Sequence, residues 1–230
     1  MDKNISDWVI AAEKERIDLG RFHSDKLEDW RRLKGSGLPI YDFIIVHVED
    51  IKAGDPLVSN FLNKYPRFVV YAIPNTKEMP RRYKLNLKSF EECNNFLRET
   101  INPRDCKKYT IILEDYGVGD KIGGVIISKN SEVLIEAAEG TLEKMSHGDI
   151  PLFLSCKIDL GKVGHIENKM EWFIGKNNLN MKFVRFIIDY IDLAKDIFNP
   201  HLMKGYFEFI ITNNDELKFL DYKINEMYLK

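Results

Sequence analysis

Two carboxylate residues near the C-terminal end are the clearest candidates for chemistry. Glu208 lies in the run FEFII and Asp221 in the run FLDYKI, each between large apolar residues. The polar segment 213–215 predicts a turn that joins the two runs as antiparallel strands. The two acids are then nearly equidistant from the turn, and residues directly opposite each other on such strands have Cβ atoms about 5 Å apart.

Two carboxylates this close repel each other unless a cation lies between them. Hard oxygen ligands suit Mg²⁺, with Mn²⁺ as an alternative, and phosphate oxygens commonly complete the coordination shell. Glu208 and Asp221 are therefore predicted to be metal ligands. The competing interpretation is an ordinary hairpin with one polar face toward solvent, which the local pattern alone does not exclude.

The elements that must position these acids follow from hydrophobic periodicity and turn signals. Helices are predicted over 5–19, 24–34, 56–62, 89–99 and 180–198, with Ser89 as an N-cap and Glu92 completing its capping box. Strands are predicted over 43–48, 67–73, 109–113, 123–128, 133–137, 206–212 and 217–224, and 161–174 is consistent with a further hairpin.

These elements do not alternate as βαβ units, so we expect an α+β fold with antiparallel sheets and packed helices. The segment 140–151 is the best candidate for a boundary. We expect an N-terminal part over 1–140 and a C-terminal lobe over 141–230, together forming one continuous fold unit of two lobes.

Composition narrows the class of protein. The chain has 230 residues with 34 basic and 36 acidic side chains, and a formal net charge of −2 gives no global attraction to nucleic acid or anionic lipid. A hydrophobic content of 44% is too high for a disordered chain. No apolar run approaches the roughly 18 residues of a membrane span, and no signal peptide is evident. Three cysteines without a close pair favour free thiols and a cytoplasmic location.

A long helix followed by the Glu208 strand, a turn and the Asp221 strand resembles the closing pattern of the ATP-grasp fold. The run YTIILEDYG at 109–117 resembles the strand that holds adenine in that fold. This resemblance implies that Glu114 and Tyr116 contact the nucleotide. It also implies that backbone groups before the bend are open to pair with the adenine edge.

The segment 131–151 resembles the nucleotide-binding part of phosphoenolpyruvate synthases, pyruvate phosphate dikinases and rifampin phosphotransferases. The matching residues are those of the family's IEAA block and the positions that follow it: Ile135, Glu136, Ala137, Ala138, Gly140, Glu143 and Gly148. Lys26, twelve residues before Leu38, corresponds to a family lysine. Three positions depart from the family: Leu142 replaces Gly, Tyr71 replaces Arg and Asp221 replaces Gln.

The resemblance implies roles for the basic residues. Lys26, Arg81 and Arg82 would neutralise charge on a transferred phosphoryl group, with Arg81 and Arg82 in a loop and supplying the charge lost at Tyr71. Lys26 and Glu143 would also contact the nucleotide. The alternative is that these charges are solvated surface groups. The glycines at 117, 119, 123 and 124 are only a weak match to a phosphate-binding loop, and a hairpin turn with a bulge explains them better.

The sequence therefore predicts an ATP-binding, Mg²⁺-dependent phosphotransferase or ligase. Its acceptor would be a small carboxylate or a separate phosphocarrier protein, and a chain of this length is expected to hold the nucleotide-binding part alone. The main alternative is a non-catalytic nucleotide-binding or protein-interaction module. A weaker alternative is a nucleic-acid-associated factor that uses the basic stretches 26–34 and 81–84.

Overall fold

A computed structural model describes residues 26–76, 79–117, 119–129, 132–146, 148–162, 164–195 and 201–224. The helix expected over 5–19 lies outside these residues. The described helices are α1 (Lys26–Gly35), α2 (Val48–Ala53), α3 (Pro56–Lys64), α4 (Phe90–Thr100), α5 (Leu142–Ser146) and α6 (Asn178–Ile191). Short 3₁₀ helices cover Pro103–Lys108 and Ile166–Lys169.

The strands form two antiparallel sheets. They are β1 (Phe43–His47), β2 (Phe68–Pro74), β3 (Arg82–Leu87), β4 (Tyr109–Asp115), β5 (Asp120–Ser128), β6 (Glu132–Glu139), β7 (Leu152–Asp159), β8 (Met170–Ile174), β9 (Gly205–Thr212) and β10 (Leu217–Lys223). The strand order is β1-β4-β2-β3 in the smaller sheet and β10-β9-β5-β6-β7-β8 in the larger one. The fold class predicted from the sequence, α+β with antiparallel sheets and packed helices, is confirmed.

Contacts divide the chain into two compact units, one of residues 41–118 and one of residues 1–40 with 119–230. This partition differs from the division at residue 140 that we expected from the sequence. The division at residue 140 concerns functional lobes and stays a prediction. Among the described residues, no helix combines the length and the apolar character that crossing a bilayer requires.

The unit of residues 41–118 is built on the smaller sheet. Alternation along β2 and β4 sends one set of side chains into a core shared with α2, α3 and α4. Phe68, Val70, Ile111 and Leu113 are buried there. α4 begins as expected, because Ser89 Oγ accepts a hydrogen bond from the backbone N–H of Glu92 at 3.1 Å.

The other unit is built on the larger sheet, and phenylalanines dominate one of its faces. Phe207, Phe209 and Phe219 are at most 1% exposed. The ring centroids of Phe209 and Phe219 lie 6.4 Å apart, and Phe183 of α6 lies 6.2 Å from Phe209. The aromatic face of the sheet is therefore covered by α6, whose inner side carries Val184, Ile187, Ile188 and Ile191.

α6 is shorter than the sequence predicts. It begins after the N-cap Asn177 and ends at Ile191 rather than running to 198. The physical reason is Asp192, whose carboxylate accepts hydrogen bonds from the backbone N–H groups of Ala194 at 3.0 Å and His201 at 2.9 Å. An aspartate that binds backbone groups in this way competes with continued helix hydrogen bonding.

Several elements are absent from the sequence prediction. The sequence did not predict four elements: β3, β7, α2 and α5. The assignment of Arg81 and Arg82 to a loop is wrong for Arg82, which is the first residue of β3. β3 was missed because five of its six side chains are exposed, so it carries no hydrophobic alternation.

The three cysteines are free and buried, as the sequence predicts. Burial raises the pKa of the Cys93 and Cys156 thiols to about 12, with the charge of Glu136 adding to the shift at Cys156. In the unfolded chain these thiols ionise near their ordinary pKa of 9.0. The folded protein holds their protons to higher pH, so stability present below pH 9 is lost as the pH rises toward 12.

We therefore expect each of the two thiols to lower the free energy of unfolding by about 1.4 kcal/mol per pH unit in that window. Urea titrations of wild type and of Cys93→Ala at neutral and alkaline pH isolate the effect, because other alkaline groups are common to both proteins. The stability difference between the two proteins should stay constant below pH 8 and shift in favour of the variant above pH 9. A difference that does not change with pH would contradict this expectation.

Candidate functional site

The two predicted metal ligands lie directly opposite each other. In the pairing of β9 with β10, Glu208 is the register partner of Asp221. Direct partners project from the same face of a sheet with Cβ atoms about 4.5–5.5 Å apart. The juxtaposition expected from the sequence is therefore present in the structure.

A β-bulge produces this pairing. From the turn outward, Leu217 pairs with Ile211 and Phe219 with Phe209, and the register then shifts between Phe219 and Asp221. Leu220 is the extra residue of the bulge. In an uninterrupted register Glu208 would lie opposite Leu220, and Asp221 would turn toward the aromatic face. The bulge thus moves Asp221 to the face of Glu208 and returns Tyr222 to the core beside Phe207, where the two rings stack at 4.5 Å.

Polar side chains surround the acid pair. Asp221 is 3% exposed, and its Oδ2 lies 2.9 Å from Lys223 Nζ. Tyr206 donates a hydrogen bond from its hydroxyl to Glu208 Oε1 at 2.9 Å. Lys223 Nζ also lies 5.5 Å from the centroid of the Tyr206 ring. The pair of acids is therefore held by a lysine and a tyrosine on the same face of the hairpin, neither of which the sequence reasoning identified.

The same row of side chains continues across the sheet. Glu208 pairs with Val125 on β5, Val125 with Glu136 on β6, and Glu136 with Ser155 on β7. Glu136 is 1% exposed and its Oε1 accepts a hydrogen bond from Ser155 Oγ at 3.2 Å. Three carboxylates thus share one face. The alternation of Leu134, Glu136 and Ala138 in β6 was the signal in the sequence that could have placed Glu136 there.

α5 packs on this face beside the acids. Met145 of α5 forms a small core with Val125 and Ala138. Close approach is possible because Gly123 lies beneath the start of the helix, where a Cβ would come within 2.8 Å of the Leu142 backbone. Gly123 and Gly124 therefore belong to strand β5 and serve packing, so they form neither a phosphate-binding loop nor a hairpin turn. Glu143 is the second residue of α5.

The acid pair suits a hard divalent cation. Two carboxylates on adjacent strands supply oxygen ligands, while the ammonium of Lys223 already occupies one side of Asp221. Within the described residues no group of three or more His, Cys, Asp or Glu side chains is arranged to hold a metal. A cation bound by Glu208 and Asp221 would need its remaining ligands from phosphate oxygens or water.

The predicted adenine contacts lie in the unit of residues 41–118. Glu114 is on β4 and interacts with Tyr71 of β2. Burial, followed by the charge of Glu114 and its hydrogen bond, raises the pKa of Tyr71 far above its usual range. Tyr71 therefore stays neutral and donates to a carboxylate. Tyr116 lies beneath Arg67, whose guanidinium carbon is 5.4 Å from the ring centroid.

The backbone of β4 differs from the expectation. Its residues 109–115 pair with β1 on one side and with β2 on the other. Beyond the strand, the N–H of Tyr116 donates to Arg67 O at 3.2 Å and the N–H of Gly117 donates to Asp115 Oδ1 at 3.0 Å. The idea that this run offers open backbone groups to adenine is wrong for the strand residues 110–114 and for the N–H groups of Tyr116 and Gly117. The side chains of Glu114 and Tyr116 stay the predicted nucleotide contacts here.

The predicted basic residues are placed as follows. Arg81 and Arg82 are exposed at the start of β3, and the positive charge of Arg81 lowers the pKa of Tyr71, opposing the larger effect of burial. Lys26 is the first residue of α1. Lys26, Glu143, Glu208 and Asp221 belong to one compact unit, whereas Arg81, Arg82, Glu114 and Tyr116 belong to the other.

No protein-family description matches the chain, and no curated protein sequence matches it. Solved structures with similarity to it include ATP-grasp enzymes. The D-alanine-D-alanine ligase from Coxiella burnetii is 12% identical, with 82% of this chain and 44% of that chain covered and a TM-score of 0.42. A RiPP-associated ATP-grasp ligase from Chryseobacterium gregarium, in complex with ADP and a leader and core peptide, is 10% identical over 87% of this chain and 51% of that chain, with a TM-score of 0.42.

A third similar structure is the carboxyaminoimidazole ribonucleotide synthase from Aspergillus clavatus complexed with ATP. It is 14% identical, with 87% of this chain and 44% of that chain covered and a TM-score of 0.45. This chain spans about half the length of these three proteins. At this level of similarity the candidate site has to be interpreted from the residues of the chain itself.

Proposed function

We propose that this protein binds ATP with Mg²⁺ and is an ATP-grasp phosphotransferase or ligase. The observation that carries the proposal is the direct pairing of Glu208 with Asp221 on neighbouring strands. Two adjacent carboxylates on a sheet face repel each other; Lys223 offsets part of this charge, and a divalent cation would offset the rest. The sequence resemblance to ATP-grasp proteins, which includes the Glu208 and Asp221 strands, and to the phosphoenolpyruvate synthase group supports the same proposal.

In this proposal Glu208 and Asp221 hold the metal ion. A bound Mg²⁺ would offset the negative charge of the nucleotide phosphates. The carboxylates fix its position because Tyr206 holds Glu208 and the buried environment restricts Asp221. Lys26, Arg81 and Arg82 are proposed to neutralise charge on the transferred phosphoryl group. Lys26, Glu114, Tyr116 and Glu143 are proposed nucleotide contacts, and the acceptor is a small carboxylate or a phosphocarrier protein.

Isothermal titration with ATP tests the proposal. We expect wild type to bind ATP more tightly with Mg²⁺ than without it. The double variant Glu208→Gln with Asp221→Asn keeps the shape of both side chains but removes their charge, so it should lose about tenfold or more in Mg²⁺-dependent affinity. Asp189→Asn, an exposed acid on α6, is the matched control and should bind as wild type does.

The outcomes separate the two parts of the proposal. Wild type that fails to bind ATP at millimolar concentration contradicts the nucleotide-dependent function itself. An unchanged Mg²⁺-dependent affinity in the double variant contradicts only the assignment of the metal ligands.

One observation favours a second candidate, a module that binds nucleotide without turning it over. Tyr71 stands where the resembled family has an arginine, and its neutral hydroxyl is engaged by Glu114. A neutral group cannot balance charge on a phosphoryl group as a guanidinium does. Release of ADP or AMP in the presence of candidate acceptors would support the enzyme, whereas tight binding without any product would support the module.

A further inference from the structure

Strand β3 is an edge strand with an unusual surface. It pairs with β2 on one side, and no other described strand pairs with its second side. Residues 82–86 are all exposed, including Tyr83 at 62% and Leu85 at 48%. An edge of this kind presents unpaired backbone N–H and C=O groups that another extended chain can pair with.

The charge on this edge has one sign. Arg81, Arg82, Lys84 and Lys88 lie within eight positions, and none of them forms an ion pair within the part of the chain that the structure describes. Alternation along the strand places Arg82 and Lys84 on one face. Tyr83 lies on the other face, where its ring approaches Tyr71 with centroids 6.2 Å apart. The edge therefore has a cationic face and an aromatic face.

We propose that β3 binds an extended acidic peptide by adding it to the smaller sheet as a further strand. Backbone hydrogen bonds to the open edge would supply affinity, and side chains at alternate positions would supply specificity. Acidic residues of the peptide would face Arg82 and Lys84. Apolar residues between them would face Tyr83. The regular pairing would use residues 82–84, because the register of β3 shifts between Lys84 and Leu87, where Asn86 has a left-handed backbone (φ 57°). The preferred partner is thus a segment that alternates acidic and apolar residues.

The same charges argue against other occupants. A second copy of β3 would bring arginine and lysine opposite arginine and lysine, and like charges directly across a strand pair are destabilising. Single-stranded nucleic acid is bound best where aromatic rings and cations lie along one groove. Here Tyr83 and the cations Arg82 and Lys84 project from opposite faces of the strand, a separation that matches the two-residue period of an extended peptide.

Fluorescence anisotropy without nucleotide tests the proposal, with a labelled peptide of alternating glutamate and valine as the probe. We expect binding that weakens as ionic strength rises, and Lys84→Glu should weaken it about tenfold. Lys182→Glu, the same charge change on exposed α6, should leave it unchanged. A peptide with N-methyl groups at alternate residues should lose binding, because it cannot complete the strand pairing.

Three results would overturn the proposal: equal binding of the N-methylated peptide, no effect of Lys84→Glu, or tighter binding of a single-stranded oligothymidine than of the peptide. The N-methylated peptide leaves the protein unaltered, so this arm does not depend on the folding of any variant. The Glu208→Gln with Asp221→Asn variant should bind the peptide as wild type does. Failure of the nucleotide proposal would therefore leave the peptide proposal standing, and the reverse also holds.

Discussion

Replacing Lys223 with methionine is expected to destabilise the protein by about 3–5 kcal/mol, since removal of one partner leaves a buried charge uncompensated. Asp221 is almost fully buried, with its side chain 4% exposed, and Lys223 Nζ lies 2.9 Å from its carboxylate. Glu208 lies opposite Asp221 and adds a second negative charge. Without the ammonium group, the repulsion between these acids is not compensated and it destabilises the folded state. Urea unfolding at neutral pH measures the loss.

A double variant distinguishes loss of the ion pair from loss of packing. Lys223→Met combined with Asp221→Leu removes both charges and should recover most of the stability, because an apolar pair can replace a buried ion pair without large cost. An equally unstable double variant would show that the Asp221 carboxylate stabilises the hairpin by more than the ion pair, since it also accepts a hydrogen bond from the Tyr222 N–H at 3.0 Å.

The Lys223→Met variant also reports on the metal site. If Glu208 and Asp221 bind Mg²⁺, the ion replaces the missing positive charge and stabilises the variant in proportion to RT ln(1 + [Mg²⁺]/Kd). Mg²⁺ should therefore raise the unfolding midpoint of Lys223→Met, whereas NaCl at equal ionic strength should not. Equal responses to the two salts would contradict the metal assignment without involving nucleotide.

Replacing Phe209 with alanine is expected to cost about 3–5 kcal/mol, the usual range for removing a buried aromatic side chain. Phe209 is fully buried, and its ring contacts Phe183 on α6 and Phe219 on β10. It also lies over Gly124, whose missing side chain leaves room for the ring. The cavity would open between the sheet and α6, where the surrounding elements are too well packed to collapse into it.

Phe186→Ala is the matched control for this prediction. Phe186 is on the outer side of α6 and 40% exposed, so its removal should cost about 1 kcal/mol or less. Thermal or urea unfolding of both variants gives the comparison. If Phe209→Ala costs no more than Phe186→Ala, then α6 does not cover the aromatic face in solution in the way described above.

Local patterns in the sequence determined much of this protein. The alternation of FEFII and LKFLDYKI, with a polar turn between them, was enough to predict a hairpin carrying two acids. The N-cap Ser89 and the long apolar stripes of α4 and α6 were similarly visible, because both depend on residues within one or two turns of each other. The burial of the three cysteines followed from composition and the absence of close pairs.

Tertiary structure alone decided which way Asp221 points. Between the turn and the two acids, β10 contains one residue more than β9. A shift of one residue exchanges the two faces of a strand, so the sequence leaves the direction of the Asp221 side chain open. The aromatic face of the larger sheet resolves this, because Phe207, Phe209, Phe219 and Tyr222 are buried together only if Leu220 bulges out. The partners that impose this choice include Phe207 and Phe209 on β9 and the helix α1 against β10, so local alternation could not reveal it.

The interior position of β4 and the edge position of β3 were also decided by pairing between strands that are distant in the sequence. YTIILED predicts a buried strand, but whether its backbone groups are open depends on which strands pair with it, and β1 and β2 occupy both sides. β3 has almost no buried residues, so only its pairing with β2 identifies it as a strand. Local sequence thus determined the acids and the hairpin that carries them, while strand pairing between distant segments decided the facing of Asp221 and the open edge at β3.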